Sequence, residues 1–402
     1  MKFLTLNAGS SSLKFKVYDS SDFSRALVQG NVTSIGSNAK LKFNHEEKNV
    51  NAPDHGAAVA IVMQALESEH KVEVIIHRIV HGGGQFWNPT KLDEDTLSRI
   101  DSLTNLAPLH NGSGVAVCRA CMEKFAGATH YAVFDVAFHS TMEPRVYSYS
   151  IPRKYRDQGI RKYGFHGISY AFVSRRVAQE LERKEEELRI IALHLGSGSS
   201  ACAISGGRSC DTSMGLTPVS GLPGGTRSGD IDPGAVFHFV PLPDKSTEVD
   251  RLHHTLSHAE YVLNKECGLK AIAGTADFRE IVKRVQQGDS DAKLGFDVFV
   301  QRVQHYVGAY FVELEGADAV VFTGGAGENS AELREAVCSK LKWLGVKLNS
   351  EANARAAEVL REGGGGTVVD VSDEGATVRV MVVATDEEKE MALQVARLLR
   401  AK

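Results

Sequence analysis

Six cysteines in 402 residues are few, and they are scattered along the chain. That density does not build a disulfide framework. Cys118 and Cys121 form a C-x-x-C, but no second pair and no neighbouring histidine pair completes a zinc site. In the helix-like run "GSGVAVCRACMEKF" they read as buried thiols. His254 and His258, in "RLHHTLSHAEY", lack a third ligand and read as a solvated helix face. No apolar run approaches the ~20 residues needed to cross a bilayer. The opening "MKFLTLNAGSS" is too short an apolar stretch for a secretory leader, so a cytoplasmic protein is the expectation. Net charge is −4, with neither sign gathered in a long block. That balance argues against a nucleic-acid footprint and against a basic membrane surface. The P-loop pattern G-x-x-x-x-G-K-[ST] is also missing.

What is present is an ordinary globular balance, 43% apolar and 24% charged, over a length that suits two domains. Strand-like and helix-like segments alternate, which points to an α/β fold. "MKFLTL" and "LKFKVYD" read as strands joined by a glycine-serine turn. "VEVIIHRIVHGGG" and "HYAVFDVAFH" read as further strands. "GAAVAIVMQALES" and "GVAVCRACMEKF" carry helical periodicity. A second series opens with "RIIALHLGSGSSACAISGGR". It continues through a long helix closed by Gly316, the strand and glycine-rich loop "ADAVVFTGGAGENS", and a terminal strand and helix. "LPDKSTEVD" at 242–250 and the glycines at 363–366 read as surface loops. Leu6-Asn7-Ala8-Gly9-Ser10 matches Leu193-His194-Leu195-Gly196-Ser197 in strand context, so the chain reads as a duplicated domain. Two unrelated turns of like composition are the plainer alternative.

A glycine-serine turn exposes backbone N–H groups and hydroxyls to an anion. Lys14 adds a positive charge beside the first turn, and "TGGAGEN" at 323–329 offers a third such loop ahead of a helix. Three loops together point to a nucleotide or polyphosphate. Polar residues gather near strand ends: Arg78 and His81, His110, Asp135 and His139, Arg161, Lys162 and His166, and Arg227, Asp230 and Asp232. Arginine suits a carboxylate or phosphate because its planar fork bonds two oxygens at once. His81 and His139 read as structural. In "TDEEKE", Thr385 and Glu388 have capping-box spacing. That leaves Glu387 for another task, such as holding Mg²⁺ through water.

Taken together, "NAGSSSLKF", "HRIVHGGG", "LAPLHN", "FDVAFH", "RKYGFHG", "HLGSGSS", "MGLTPVSGLPGGTRSGDIDPG", "FTGGAGENS" and "ATDEE" resemble the acetate kinase family over nearly the whole chain. The resemblance implies duplicated RNase-H-like domains of the actin, sugar kinase and Hsp70 type, with a nucleotide cleft between them. It sets the boundaries at 1–148 plus 385–402 for the first domain, and 149–384 for a second that binds nucleotide and dimerises. It implies reversible phosphoryl transfer between ATP and acetate to give ADP and acetyl phosphate, with Mg²⁺ (or Mn²⁺ in its place), in a homodimer. By motif, Arg78 and Arg227 bind acetate and steady the phosphoryl group, Asp135 is the essential carboxylate, and His166 is a transition-state donor. Asn7 and Glu387 take the Mg²⁺-linked positions, and Lys14 a phosphate contact. His194, Leu195, Gly196, Ser197 and Gly198 match the second phosphate loop. Asp277, Phe278 and Arg279 match the adenosine segment, and Gly325, Ala326, Gly327, Glu328 and Asn329 the loop beside adenine. Val80, Leu109, Phe165 and Pro218 match the pocket for the acetate methyl.

Departures from the family pattern are Ser197 for asparagine, Tyr170 for histidine, Val136 for threonine, and Gly224 for a bulkier residue. None removes a charged catalytic group. They leave a pyrophosphate donor and a propionate or butyrate acceptor as alternatives. A nucleotide-driven conformational protein of the actin or Hsp70 type is the reading from another class.

Overall fold

The computed structural model describes residues 1–9, 11–43, 46–66, 71–103, 111–239 and 258–401. Ser10, Leu109, His110, His254 and the 242–250 loop lie outside them. Two compact units emerge, Met1–Ala137 with Asp386–Lys402, and Phe138–Thr385. The division falls at 137/138 and 385/386, where the motifs had suggested 148/149 and 384/385.

Unit one is built on strands β1 (Lys2–Ala8), β2 (Ser12–Asp19), β3 (Val28–Thr33), β4 (Lys40–Phe43), β5 (Glu46–Asn49), β6 (Val74–Ile79), β7 (Thr90–Lys91) and β8 (Thr129–Phe134). They lie in the order β5-β4-β3-β2-β1-β6-β8-β7. Strand β1 runs antiparallel to β2, with Asn7 opposite Lys14, and parallel to β6. Leu4, Leu6, Phe15 and Val17 point into one core with helix His55–Leu66 and with Val117 and Cys121 of helix Asn111–Lys124. Both cysteines of the C-x-x-C are buried free thiols, as their helical setting suggested. Burial pushes the Cys121 thiol up to about 12.

Unit two repeats the scheme with β9 (Arg189–Leu195), β10 (Ser199–Ser205), β11 (Arg208–Thr212), β12 (Ala319–Thr323), β13 (Val368–Asp370) and β14 (Arg379–Val383), ordered β11-β10-β9-β12-β14-β13. Strand β9 is antiparallel to β10, with His194 opposite Ser200, and parallel to β12. Both sheets therefore contain an antiparallel trio followed by two parallel strands. The run β3-β2-β1-β6-β8 in one has the order of β11-β10-β9-β12-β14 in the other. The repeated glycine-serine turn is the hairpin at the end of the first strand of each. Ile191, Leu193, Val320, Phe322, Val380 and Val382 face one side of the second sheet, while Ile190, Ala192, Val321 and Met381 face the other. A sheet buried on both faces needs such continuous apolar runs, which is why these segments read so clearly as strands.

Two local expectations are corrected. "GGAGEN" is not an open loop: Gly324–Asn329 is a short helix. The Glu328 carboxylate accepts from the Gly324 N–H at 2.9 Å, and the buried Arg334 donates from Nη1 to the Gly327 and Glu328 carbonyls at 2.8 and 3.0 Å. Side chains thus satisfy both ends of a segment whose glycines disfavour helix. The last helix, Glu387–Arg400, is capped by Asp386, which accepts from Lys389 N–H, and not by a Thr385–Glu388 box.

Parallel neighbours β6 and β8 bury a histidine pair, His77 Nε2 lying 3.1 Å from His130 Nδ1 with the rings stacked at 11°. Burial, and then His130, push the His77 imidazole down to about 3, and burial lowers His130 as well. Such groups stay neutral when folded but protonate when unfolded. Their stability is therefore present above pH 6.5 and is lost as pH falls from 6.5 toward the lowered values. At pH 5 His77 alone should cost about 2 kcal/mol. The urea midpoint should fall between pH 7 and pH 5, and less steeply in a His77→Gln variant. Equal slopes would contradict the assignment.

Candidate active site

Arg78 stands next to the end of β6, and Asp135 directly follows β8. These parallel strands bring together residues that are 57 positions apart. Arg78 Nε donates to Asp135 Oδ1 at 3.1 Å and Nη2 to Oδ2 at 2.5 Å, while Nη1 donates to the Ala8 carbonyl at 3.2 Å. Three of the five guanidinium N–H groups are engaged this way. Among the described residues no hydrogen bond takes the remaining two, one on each Nη, and donors of this kind suit a carboxylate or phosphoryl group. Burial would lower the Arg78 pKa, but Asp135, Glu387 and Glu388 raise it, so the side chain stays charged. Burial raises the Asp135 pKa against the pull of Arg78. "FDVAFH" was expected to continue the strand. Instead β8 stops at Phe134, Asp135 N–H bonds to the Ile79 carbonyl, and Ala137–Thr141 forms a 3₁₀ turn.

Asn7 closes β1 beside this pair. Its Nδ2 donates to Glu387 Oε2 at 3.0 Å and to Glu388 Oε1 at 2.9 Å. Glu388, expected to cap its helix, is buried and also lies 3.8 Å from Lys16, which pairs with Asp386 at 2.7 Å. Glu387 is half-buried, and its carboxylate and Asn7 Oδ1 are hard oxygen donors. Both fit Mg²⁺, which retains waters and takes only one or two protein ligands beside phosphates. No cluster of three or more metal-ligating His, Cys, Asp or Glu side chains exists among the described residues. Lys14 is exposed on β2 and lines a cavity of about 290 Å³ with Lys16, Asn31 and Lys42.

In unit two, His166 has φ 58° and ψ 21° and stands at the start of helix Gly167–Glu180. A non-glycine residue in this left-handed region costs on the order of 1–3 kcal/mol and persists only where its surroundings demand it. The preceding Gly164 is required, since a Cβ there would lie 2.4 Å from Thr212 and 2.7 Å from His139. His166 stacks on His194 with centroids 4.2 Å apart, and Ser169 Oγ bridges His194 Nδ1 at 2.9 Å and Thr385 Oγ1 at 3.0 Å. After β9, Leu195 is buried under the turn, Ser197 carbonyl accepts from Gly225 N–H at 2.8 Å, and Gly198 meets Arg227. A Cβ on Gly198 would stand 2.9 Å from Arg227 Nη1 and 3.6 Å from His166 Nε2, so arginine and imidazole converge on this turn.

A cavity of about 610 Å³ opens beside the turn. Gly196, Ser197, Asp277, Phe278, Arg279, Gly325, Ala326 and Asn329, all anticipated, contribute to its wall. Gly327 and Glu328 instead support that wall from behind through Arg334. Val282 and Gln286 were missed, although Phe278, Val282 and Gln286 recur at four-residue helical spacing and line the same cavity. Val80 is buried in unit one, and Phe165 and Pro218 are buried in unit two.

Other polar candidates make contacts within the protein. Arg161 lies 3.4 Å over the Tyr147 ring, and Lys162 pairs with Asp211 at 2.6 Å. His139 bonds Ser209 and the Phe165 carbonyl, and burial pushes it down to about 4. Asp230 accepts from Ser220, Gly221 N–H and Tyr306, and Asp232 caps the 3₁₀ turn Pro233–His238. His81, also read as structural, is buried and accepts from Gly83 N–H at Nδ1.

Two sheets share one strand order, and each carries a glycine-serine turn after its first strand with a cationic side chain nearby, a duplicated α/β fold suited to holding phosphates. The acetokinase family model matches residues 2–393, and the chain belongs to that family. The acetate kinase of Leifsonia xyli subsp. xyli is 39% identical over 411 residues, covering 99% of each chain. The crystal structure of Porphyromonas gingivalis acetate kinase matches with a TM-score of 0.85 at 34% identity, covering 99% of each chain. That of a propionate kinase from Francisella tularensis subsp. tularensis matches at 0.86 and 35% identity, covering 98% of each. The chain is thus a phosphotransferase with a carboxyl group as acceptor.

The Gly198 contact is directly testable. Gly198→Ala should displace the Arg227 guanidinium and lower turnover by ~10–100-fold, while circular dichroism stays that of the wild type. Unchanged turnover would show that Arg227 is not held against this turn.

Proposed function

We propose that the chain is an acetate kinase. It transfers the terminal phosphoryl group of ATP reversibly to acetate, giving ADP and acetyl phosphate, with Mg²⁺ (or Mn²⁺ in its place). The observation that carries this reading is Arg78, oriented by Asp135 with two N–H groups to spare, beside the oxygen donors of Asn7 and Glu387.

Acetate is a carboxylate at neutral pH and is already the nucleophile, so no base is required. The protein's contribution is positioning and charge neutralisation. Arg78 holds the acceptor carboxylate, with Asp135 preventing the guanidinium from swinging. Arg227 steadies the transferring phosphoryl group, and His166 donates to one of its oxygens. Lys14 and the backbone N–H groups of the second turn hold the remaining phosphates. Asn7 and Glu387 would hold the Mg²⁺, which supplies neutralisation of phosphate charge. Val80, Leu109, Phe165 and Pro218 are assigned to the acceptor methyl, with acetate first and propionate second. One extra methylene is worth only ~1–3 kcal/mol, so the two substrates overlap.

The 610 Å³ cavity beside Phe278, with Gly325 and Ala326 on its wall, has room for a purine base. It supports ATP over pyrophosphate as donor. The same reading makes the chain a cytoplasmic homodimer, with unit two as the nucleotide and dimerisation domain. No helix among the described residues is long and apolar enough to cross a membrane.

Acetyl phosphate trapped as the hydroxamate tests the proposal, with ATP and pyrophosphate in parallel. Product should form with ATP and not with pyrophosphate. Arg78→Ala and Arg227→Ala should each lower turnover by ~10³-fold or more with the fold intact. Near-normal turnover in either would remove that residue from the mechanism. Product only with pyrophosphate would remove the assignment of the cavity to a base.

A further inference from the structure

His166 sits at the end of a short buried relay. Its Nδ1 lies 2.9 Å from Ser200 Oγ, and Ser200 Oγ lies 2.5 Å from the Tyr170 hydroxyl. Tyr170 is one helical turn past His166, its N–H donating to the His166 carbonyl at 3.0 Å. Ser200 reaches the same point from β10, where it stands opposite His194. Both relay residues are fully buried.

The directions of the hydrogen bonds follow from counting protons. Burial raises the Tyr170 pKa well above the ordinary phenol value, so the group remains protonated. A buried hydroxyl proton needs an acceptor, and the side chain within hydrogen-bond distance of the Tyr170 hydroxyl is Ser200. The phenol has one proton to give, and Ser200 Oγ is the partner within reach. Ser200 then has its own proton to place, and its other neighbour is His166 Nδ1. A neutral imidazole that accepts at Nδ1 carries its proton on Nε2. Nε2 is the nitrogen nearest Gly198, where Arg227 also converges.

We propose that the Tyr170–Ser200 relay fixes His166 as the Nε2–H tautomer, so that it presents a donor to a phosphoryl oxygen held on the Gly198 turn. The proposal rests on the reading of His166 as the transition-state donor. Tyr170 and Ser200 act through His166 and are positioning residues.

The experiment is ¹⁵N NMR of histidine-labelled full-length protein at neutral pH, assigned with His166→Gln, together with the kinetics of Ser200→Ala, Ser200→Thr and Tyr170→Phe. His166 should show an unprotonated Nδ1 and a protonated Nε2. Ser200→Ala and Tyr170→Phe should mix the tautomers and lower kcat by ~10–100-fold, the usual range for a lost orienting partner. KM for ATP should stay within about twofold, as expected when only transition-state binding is lost. Ser200→Thr, which keeps the hydroxyl, should retain tautomer and rate. An Nδ1–H tautomer in the wild type, or one unmoved by both variants, overturns the relay. A tautomer that moves while kcat does not would overturn the donor role of His166 and leave the tautomer assignment standing.

Discussion

The bidentate pair between Arg78 and Asp135 is the contact on which unit one depends. Two parallel strands end side by side, and each delivers one partner. A buried guanidinium without a carboxylate would carry an uncompensated charge at a cost of ~3–5 kcal/mol. With one, its orientation is set before any anion arrives, and among the described residues no hydrogen bond takes one N–H on each Nη. The surrounding carboxylates are handled in the same economical way. Asp386 takes Lys16, and Glu388 is tied to Asn7 and Lys16. Glu387 is left half-buried, with Asn7 holding one of its oxygens.

Unit two brings imidazoles and Arg227 to its own turn. Its first strand delivers His194 and the Gly196–Gly198 turn where unit one's first strand delivers Asn7 and Gly9. Where the first hairpin carries the Asn7 amide, the second carries the His194 imidazole, which stacks on His166. Rigid neighbours hold the imidazoles in place: Ser169 on one ring, Ser200 on the other, and a left-handed backbone at His166. The cavity wall is braced as firmly. Arg334 is fully buried and donates to the Gly327, Glu328 and Asn353 carbonyls as well as to Asn353 Oδ1.

Much of this could be read from the residues alone. Apolar runs such as "RIIALHL" announce strands because both faces of the sheet are buried, and the repeated glycine-serine turn announced the duplication. The cavity-wall residues Asp277, Phe278 and Arg279 were found through the resemblance, and Gly325 and Ala326 as part of a glycine-rich segment ahead of a helix. Long-range pairings were not legible. Nothing in the local pattern says that Arg78 bonds Asp135, because their meeting depends on β6 lying beside β8. The cap of the last helix was misassigned by one residue because Thr385 and Asp386 are both good caps, and Glu388 had box spacing from the first. Tertiary partners decided the matter, since Asn7 and Lys16 claim Glu388. "GGAGEN" looked like a loop because glycine is a poor helix former, and its stabilisers, Glu328 and Arg334, act through side chains. Tyr170 was visible only as a departure, and its contact depends on Ser200 arriving from β10.

The central claim is that this scaffold orients and neutralises, and that no side chain carries the phosphoryl group. Asp135 and Glu388, the buried carboxylates best placed to do so, are committed to Arg78, Asn7 and Lys16. The most direct test is the stereochemical course at phosphorus, using ATP with a chiral, isotopically labelled γ-thiophosphoryl group and acetate as acceptor. Direct in-line transfer predicts inversion of configuration in the acyl product. Retention would require two displacements through a phosphorylated residue and would contradict the account.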